Sequence, residues 1–189
     1  MILFCQNLVL KLKSETKWSN ELNLPETFNW NYAYNTPFKT TRNSKLHWLQ
    51  YRINHRILGA NQLLHKIGIK NDNSCSFCNT NTETLSHLFY ECQYTDTFWM
   101  DVKNWINPVF NIPLLQITKL EVLLGHRKLS SSVNVILLLG KKVIMSSKSK
   151  RTRPNLNQFI MLFRNYIACE KFHYSKEGRL DALMKMWRN

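Results

Sequence analysis

Apolar positions recur along most of this chain at spacings of three and four, the pattern of helices that bury one face. From Ser44 to Leu58, Leu46, Leu49, Ile53 and Ile57 fall at +3, +4 and +4, and Asn43 or Ser44 stands where a cap belongs. On another face Lys45, Arg52 and Arg56 follow at +7 and +4. That basic stripe reads either as a solvated face or as a phosphate contact. Gly59 interrupts the pattern, Asn61 caps a short helix through Ile67, and Gly68 suits the position beyond its end. Thr82–Tyr90 predicts another short helix, and Tyr94–Ile106 a longer one, with Phe98, Val102 and Trp105 on one side and Pro108 ending it. The spacing of these aromatics is that of a core stripe rather than of a base-stacking platform.

Further on, Thr118–Leu124 before Gly125, and then Ser132–Met145, predict two helices. Ser146–Pro154 reads as a loop rich in Ser, Lys and Arg, and Pro154 as the first residue of a helix through Phe159, Leu162, Phe163, Tyr166 and Ile167. Leu180, Leu183, Met184 and Trp187 mark a last amphipathic helix. Extended structure is expected only near Val9–Lys13, and no internal repeat stands out. Five Gly and five Pro in 189 residues are too few for a sandwich or barrel of many tight turns. The predicted class is mostly α.

Charge changes the picture from a helical domain to one with a polyanionic partner. The formal net charge is +14, from 26 Lys and Arg against 12 Asp and Glu. Residues 39–70 hold seven basic residues and no acid, residues 71–102 five acids and no Lys or Arg, and residues 103–189 sixteen basic and four acidic residues. Nucleic acid is the expected partner, ahead of an anionic membrane surface. Six of the cations cluster between Lys141 and Arg153: Lys141, Lys142, Lys148, Lys150, Arg151 and Arg153. They read as phosphate contacts, as a nuclear-import signal, or as a mobile solvated loop. No signal peptide is apparent, and the apolar run Val133–Leu139 is too short to cross a bilayer before Lys141 and Lys142. The expectation is a soluble intracellular protein with no membrane partner, acting in the nucleus.

Three of the five cysteines lie within eighteen residues, in the pattern Cys75-x2-Cys78-x8-His87-x4-Cys92. Two thiolates three apart on a tight turn occupy adjacent tetrahedral positions, and a His and a Cys five apart across a helix end close the other two. Three sulfurs and an imidazole fill the shell, which points to one structural Zn2+ rather than a catalytic ion. Ser74, Asn79 and Asn81 suit turns, and Thr82 or Thr84 can cap the helix presenting His87. Cys5 and Cys169 are isolated and read as buried small hydrophobes. The acids around the cysteines disfavour that segment as the phosphate-docking surface, so the flanking basic helices are expected to take that part.

These residues resemble one family. Leu46-His-Trp-Leu-Gln-Tyr-Arg-Ile-Asn-His-Arg-Ile-Leu58, then Cys75-Ser-Phe-Cys78, Glu83-Thr-Leu-Ser-His-Leu-Phe-Tyr-Glu-Cys92 and Phe98-Trp99 look like the zinc-binding C-terminal region of non-LTR (LINE-type) retrotransposon reverse transcriptases. The resemblance runs from about Trp18 to Trp187 and is most specific over residues 43–106. It implies a module downstream of a polymerase that handles template RNA or target DNA, with Cys75, Cys78, His87 and Cys92 at the ligand positions. It also implies a division into an N-terminal remnant or linker (1–40), the zinc-binding domain (41–110) and a basic helical C-terminal region (111–189). No Asp-Asp polymerase signature or endonuclease carboxylate cluster is present in the sequence, so the parent enzyme's chemistry does not transfer.

Two readings compete. One is a zinc-stapled module that binds RNA or DNA without catalysis. The other is a protein-interaction piece or degraded fragment that docks onto missing polymerase domains. An enzyme is disfavoured, because no nucleophile–base pair, Gly-rich phosphate loop or Mg2+-type acidic cluster is apparent.

Overall fold

The longest apolar run in the chain becomes the axis of the fold. In the computed structural model, which describes residues 12–110, 117–125 and 131–187, Val133–Leu139 lies inside a helix over Ser131–Ser149. The described residues form α1 (Lys13–Leu22), α2 (Trp30–Thr40), α3 (Ser44–Asn54), α4 (Asn61–Lys66), α5 (Gln93–Phe110), α6 (Lys119–Leu124), α7 (Ser131–Ser149), α8 (Leu156–Lys176) and α9 (Leu180–Trp187). A π turn covers His87–Glu91, and a lone antiparallel bridge pairs Ser74 with Thr82. The mostly α expectation holds.

A helix that is apolar all round needs neighbours on every side. Every residue of α7 from Ser132 to Lys141 is buried, and the helix packs against α2, α3, α6, α8, α9 and the π turn. Leu46, Leu49 and Ile53 of α3 and Phe159, Phe163 and Tyr166 of α8 line this core. Phe98, Trp99, Val102 and Ile106 of α5 complete it. Gly140 is where α5 comes closest: a Cβ there would overlap the six-membered ring of Trp99. The Trp99 indole is itself fixed, because its N–H donates to the Phe89 carbonyl at 2.8 Å.

Polar groups in this core are paired in a chain. The Lys141 ammonium donates to the Gln50 side-chain oxygen. The Gln50 amide donates at 2.7 Å to both Asn54 Oδ1 and the Leu123 carbonyl. Asn54 donates to the Ala33 carbonyl at 3.0 Å, and the Trp18 indole donates to the Asn54 carbonyl at 3.0 Å. One run of hydrogen bonds therefore ties α7, α3, α6, α2 and α1 together. The expected remnant over 1–40 is, in its described part, two packed helices: Trp18 and Ala33 are fully buried. Position 110 is no packing boundary either, since α7 lies beyond it and fills the core of what precedes it.

Several helix ends differ from expectation, each for a local reason. Helix α3 stops at Asn54, because the amides of Ile57 and Leu58 both turn back to the Arg52 carbonyl. Arg56 adopts φ +57° in that turn, so Ile57 leaves the apolar face and is exposed while Leu58 is buried. Helix α5 runs past Pro108, which sits in its last turn and removes one amide donor there. Helix α7 continues to Ser149, so Lys148 is helical rather than in a loop. Pro154 precedes the true cap, Asn155, whose side chain accepts from the Gln158 amide. Asn61 is the first residue of α4 rather than its cap. Helix α6 ends before Gly125 and Gly68 takes a positive φ, as the sequence implies, and a capping box of Thr118 and Glu121 opens α6. Lys13 opens α1, while Val9 to Lys11 of the expected extended piece, and Cys5, lie outside the described residues, and Cys169 is exposed on α8 rather than buried.

The α7 axis can be tested at two adjacent positions. Gly140→Ala should destabilise the protein by about 1–3 kcal/mol, the usual cost of overpacking. Urea unfolding will show this, and in a Trp99→Phe background the same substitution should cost much less, because the far atoms of the indole ring that meet the new Cβ are missing from Phe. The second position is Lys141, which burial pulls down to about 7 from an ordinary 10.5. Below pH 7 both states are protonated and the fold carries a buried charge. From pH 7 to 10.5 only the unfolded chain holds the proton, so stability rises with pH. Between pH 7 and 9 the unfolding free energy of the wild type should gain roughly 2–3 kcal/mol relative to Lys141→Met, at about 1.36 kcal/mol per pKa unit.

Candidate metal centre and basic surface

The first two ligands sit on a knuckle made by a narrow turn. The Cys75 amide donates to the Asn81 carbonyl and the Glu83 amide to the Asn73 carbonyl, both at 2.8 Å, on either side of the Ser74–Thr82 bridge. Asn79, at φ +58°, reverses the chain, and its amide donates to the Cys75 carbonyl at 2.9 Å. Asn is one of the few side chains that tolerates that region with little strain. The Phe77 amide points at Cys75 Sγ (3.4 Å), and the Thr80 hydroxyl donates to Cys78 Sγ at 3.2 Å.

The other two ligands depend on the π turn. In an α-helix, residues five apart stand about 140° from each other round the axis. Here the Cys92 amide donates to the His87 carbonyl at 2.9 Å, an i to i+5 bond that brings both residues to one side. Thr84, rather than Thr82, caps the turn, accepting from the His87 amide at 2.9 Å. The predicted Thr82–Tyr90 helix is therefore helical only from Leu85, and its second half is wider than an α-helix.

Together these elements place Cys75 Sγ, Cys78 Sγ, a His87 ring nitrogen and Cys92 Sγ within 4.8 Å of one another. Cys75 Sγ lies 3.8 Å from Cys92 Sγ, and Cys78 Sγ lies 3.4 Å from His87 Nε2. A tetrahedral zinc with sulfur at ~2.3 Å and nitrogen at ~2.0 Å requires edges of about 3.8 and 3.5 Å, so the donor set fits the ion. Burial would raise the Cys78 thiol, but hydrogen bonds from the Asn81 and Thr80 backbone, the Thr80 hydroxyl and His87 outweigh it and bring it to about 5. The hydrogen bond from Cys75 lowers Cys92 to about 7, while that contact and burial push Cys75 up. Burial lowers the His87 pKa, but contact with Cys78 and Cys75 leaves it raised.

Around the ligands lies a shell that spacing did not reveal. Glu83 is fully buried, and its carboxylate accepts from the Asn61 amide at 2.8 Å and from the Ser76 amide at 2.7 Å. It also pairs with the Lys148 ammonium of α7. Asn61 donates to the Ser74 carbonyl at 2.6 Å and to Ser76 Oγ at 3.1 Å, and its oxygen accepts from Lys70 and Lys148. Glu83 thus joins the knuckle, the start of α4 and the end of α7 at one point. Burial draws the Lys148 pKa below the ordinary lysine value, and Glu83 only partly offsets it.

The structure divides the nine cations singled out from the sequence. Lys141 is 1% exposed and bound to Gln50, Lys148 belongs to Glu83, and Arg56 pairs with Glu21 at 2.6 Å and stacks 4.0 Å over the Trp18 ring. These three are committed inside the fold, so Lys141–Arg153 is not one basic loop and Lys45, Arg52 and Arg56 are not one stripe. Lys45, Lys150, Arg151 and Arg153 are exposed, Lys142 and Arg52 are half-buried, and Arg153 stacks 3.7 Å over Tyr94. A groove of about 470 Å³ between α3, α7 and α8 is lined by Arg42, Lys45 and Lys142. A second hollow of about 260 Å³ shares Lys142, Leu162 and Asn165 with it and adds Lys150. No helix among the described residues is long and apolar enough to cross a membrane.

Fold and site define a helical protein whose cysteine segment is built to hold a tetrahedral metal ion. The family described as zinc-binding in reverse transcriptase matches residues 13–99. No curated protein and no solved structure matches the chain.

Removing the Glu83 charge tests the outer shell. Glu83→Gln should cost about 3–5 kcal/mol of stability by leaving Lys148 buried and unpaired. It should also speed zinc loss to a chelator roughly 10–100-fold while the four ligands remain. Glu83→Gln with Lys148→Met should recover part of the stability, measured by thermal unfolding of the zinc-loaded protein.

Proposed function

We propose that the chain is a nucleic-acid-binding module of the LINE-type reverse transcriptase kind, held by one structural zinc and without catalysis of its own. The observation that carries this reading is the groove between α3, α7 and α8 with its adjoining hollow. Lys45 and Lys142 line the groove and Lys150 the hollow, none with an ion-pair partner among the described residues, while other basic residues are taken up by internal pairs. Arg42 lines the groove as well, bound to Glu177. Phosphates of RNA or DNA suit such a row of cations. Four protein ligands leave no coordination position for water or substrate, which supports a structural ion. The zinc knuckle is not the docking surface in this reading, because the cations that line the groove and hollow are none of its residues. The module would act where nucleic acid is handled, in the nucleus.

A second reading has its own support. Ile67 and Ile69 stand 56% and 68% exposed beyond α4, and an apolar tip of this kind suits contact with polymerase domains.

The test is metal content followed by binding across salt. Purified protein should hold one zinc per chain, and Cys78→Ala or His87→Ala should lose both metal and fold. Labelled RNA and DNA should bind with a steep salt dependence. Lys45→Glu, Lys142→Glu and Lys150→Glu together should weaken binding at least ~10-fold and flatten the salt slope by about 0.7 for each single-strand phosphate no longer neutralised. An unchanged slope in the triple variant would sink the groove reading. Salt-insensitive association with polymerase domains, without nucleic-acid binding, would favour the second.

A further inference from the structure

Helix α3 presents two stripes to solvent. Leu46, Leu49, Gln50, Ile53 and Asn54 face inward. At 100° per residue, the outward side carries the rings of His47, Tyr51, Trp48 and His55 along one edge, with Lys45 and Arg52 along the next. The rings are already organised. Trp48 and Tyr51 lie 5.2 Å apart and 8° from parallel, and Tyr51 meets His55 at 4.2 Å. From α2, Tyr34 stacks on His55 at 5.4 Å and Phe38 packs on His47 at 4.5 Å. Tyr34, Phe38, His47, Tyr51 and His55 line a cleft of about 330 Å³ between α2 and α3, at the low end of the range for small-ligand pockets. Trp48 lies outside it, against Tyr51.

This arrangement is not core. Phe38, Trp48 and Tyr51 are 63%, 57% and 42% exposed. Nor is its setting that of an ordinary apolar contact. The Arg52 guanidinium stands 6.0 Å over the Trp48 ring and Lys45 shares its edge of α3, while on the Tyr34 side the Glu15 carboxylate of α1 accepts from the Tyr34 hydroxyl at 3.0 Å. Flat aromatic faces beside a line of cations match the two halves of an unpaired nucleotide, its base and its phosphate. A duplex keeps its bases stacked on one another and offers this strip only phosphates.

Resting on the nucleic-acid reading above, we propose that the α2–α3 aromatic strip is a base-stacking site for single-stranded RNA or DNA, with Lys45 and Arg52 holding the phosphates. Lys45 also lines the α3–α7–α8 groove. A strand leaving the platform passes from stacking contacts to purely ionic ones at that residue.

The experiment compares, on the full zinc-loaded chain, a labelled oligothymidylate, an abasic strand with the same number of phosphates, and a duplex. The wild type should prefer the base-bearing strand to the abasic one by at least ~10-fold, the scale of one or two base–aromatic stacks. Trp48→Ala, and separately Phe38→Ala on the other helix, should remove most of that preference and leave abasic binding unchanged. Trp48→Phe should retain most of it. Both positions are more than half exposed, so thermal unfolding should hardly shift. Equal binding of the abasic and base-bearing strands by the wild type overturns the platform, and so does a Trp48→Ala protein with its preference intact. In either case the groove reading survives if the Lys45, Lys142 and Lys150 reversals still weaken binding. Self-association that disappears in Trp48→Ala, without a base preference, overturns the proposal in favour of a protein contact. A wild type that binds no strand at all overturns both readings together.

Discussion

The Glu83 carboxylate is the point on which the metal segment and the helical body depend. An ion held by Cys75, Cys78, His87 and Cys92 would fix only the residues between them, and would constrain nothing beyond that stretch unless something transmits it. Glu83 does so with two oxygens. They take the amide of Ser76, which lies between the first two ligands, the amide at the start of α4, and the ammonium at the end of α7. A buried ion pair is weak evidence of net stability, because desolvation consumes much of its attraction. What this pair supplies is registration: the knuckle can sit in one orientation only. On the far side of the site, Trp99 plays a matching part. Its indole holds the carbonyl of Phe89 inside the π turn while its ring fills the notch left by Gly140.

The same constraint governs the charge. A chain at +14 invites the view that its cations face outward, and most do. Lys141, Lys148 and Arg56 do not, and each secures a different junction. Lys141 binds α7 to Gln50, Lys148 binds it to the knuckle, and Arg56 covers Trp18. The cations left for a polyanion are therefore fewer and more localised than the count suggests. Of the nine singled out, Lys45, Lys142 and Lys150 line the hollows between α3, α7 and α8, and charge patterning along the sequence could not have separated them from the three inside the fold.

The clustering of Cys75, Cys78, His87 and Cys92 was legible because its geometry is local: a two-residue gap on a turn and a His and Cys at a helix end leave few alternatives. The helices were legible where capping and periodicity agreed, as at Thr118–Gly125. Sequence reasoning failed where a tertiary partner overrode a local pattern. Ile57 continues the apolar spacing of α3 perfectly, yet Arg56 turns the chain to reach Trp18 and Glu21, and Ile57 is left in solvent. Glu83 counted only as one acid among five, since its three partners come from positions 61, 76 and 148. Its one sequence signal was its place at the head of the stretch leading to His87. The aromatics of α5 are core, as their spacing said, whereas Trp48 and Tyr51 were hidden within a segment whose apolar face explained it too well.

The matched stretch, residues 13–99, does not contain its own core. Leu46, Leu49 and Ile53 pack toward α7, Phe98 meets Phe159 of α8 at 6.3 Å, and the Glu83 carboxylate needs Lys148. A family segment that finds its counter-ion, its helix neighbours and part of its aromatic packing beyond its own limits behaves as half of a structural unit. The polar chain from Lys141 through Gln50 to Asn54 makes the same point from within, since Gln50 lies in the most specific part of the resemblance and its oxygen is satisfied from α7. The residues that identify the zinc segment are therefore partly residues for receiving a helix, and the length of this fold is set by α7 rather than by the metal.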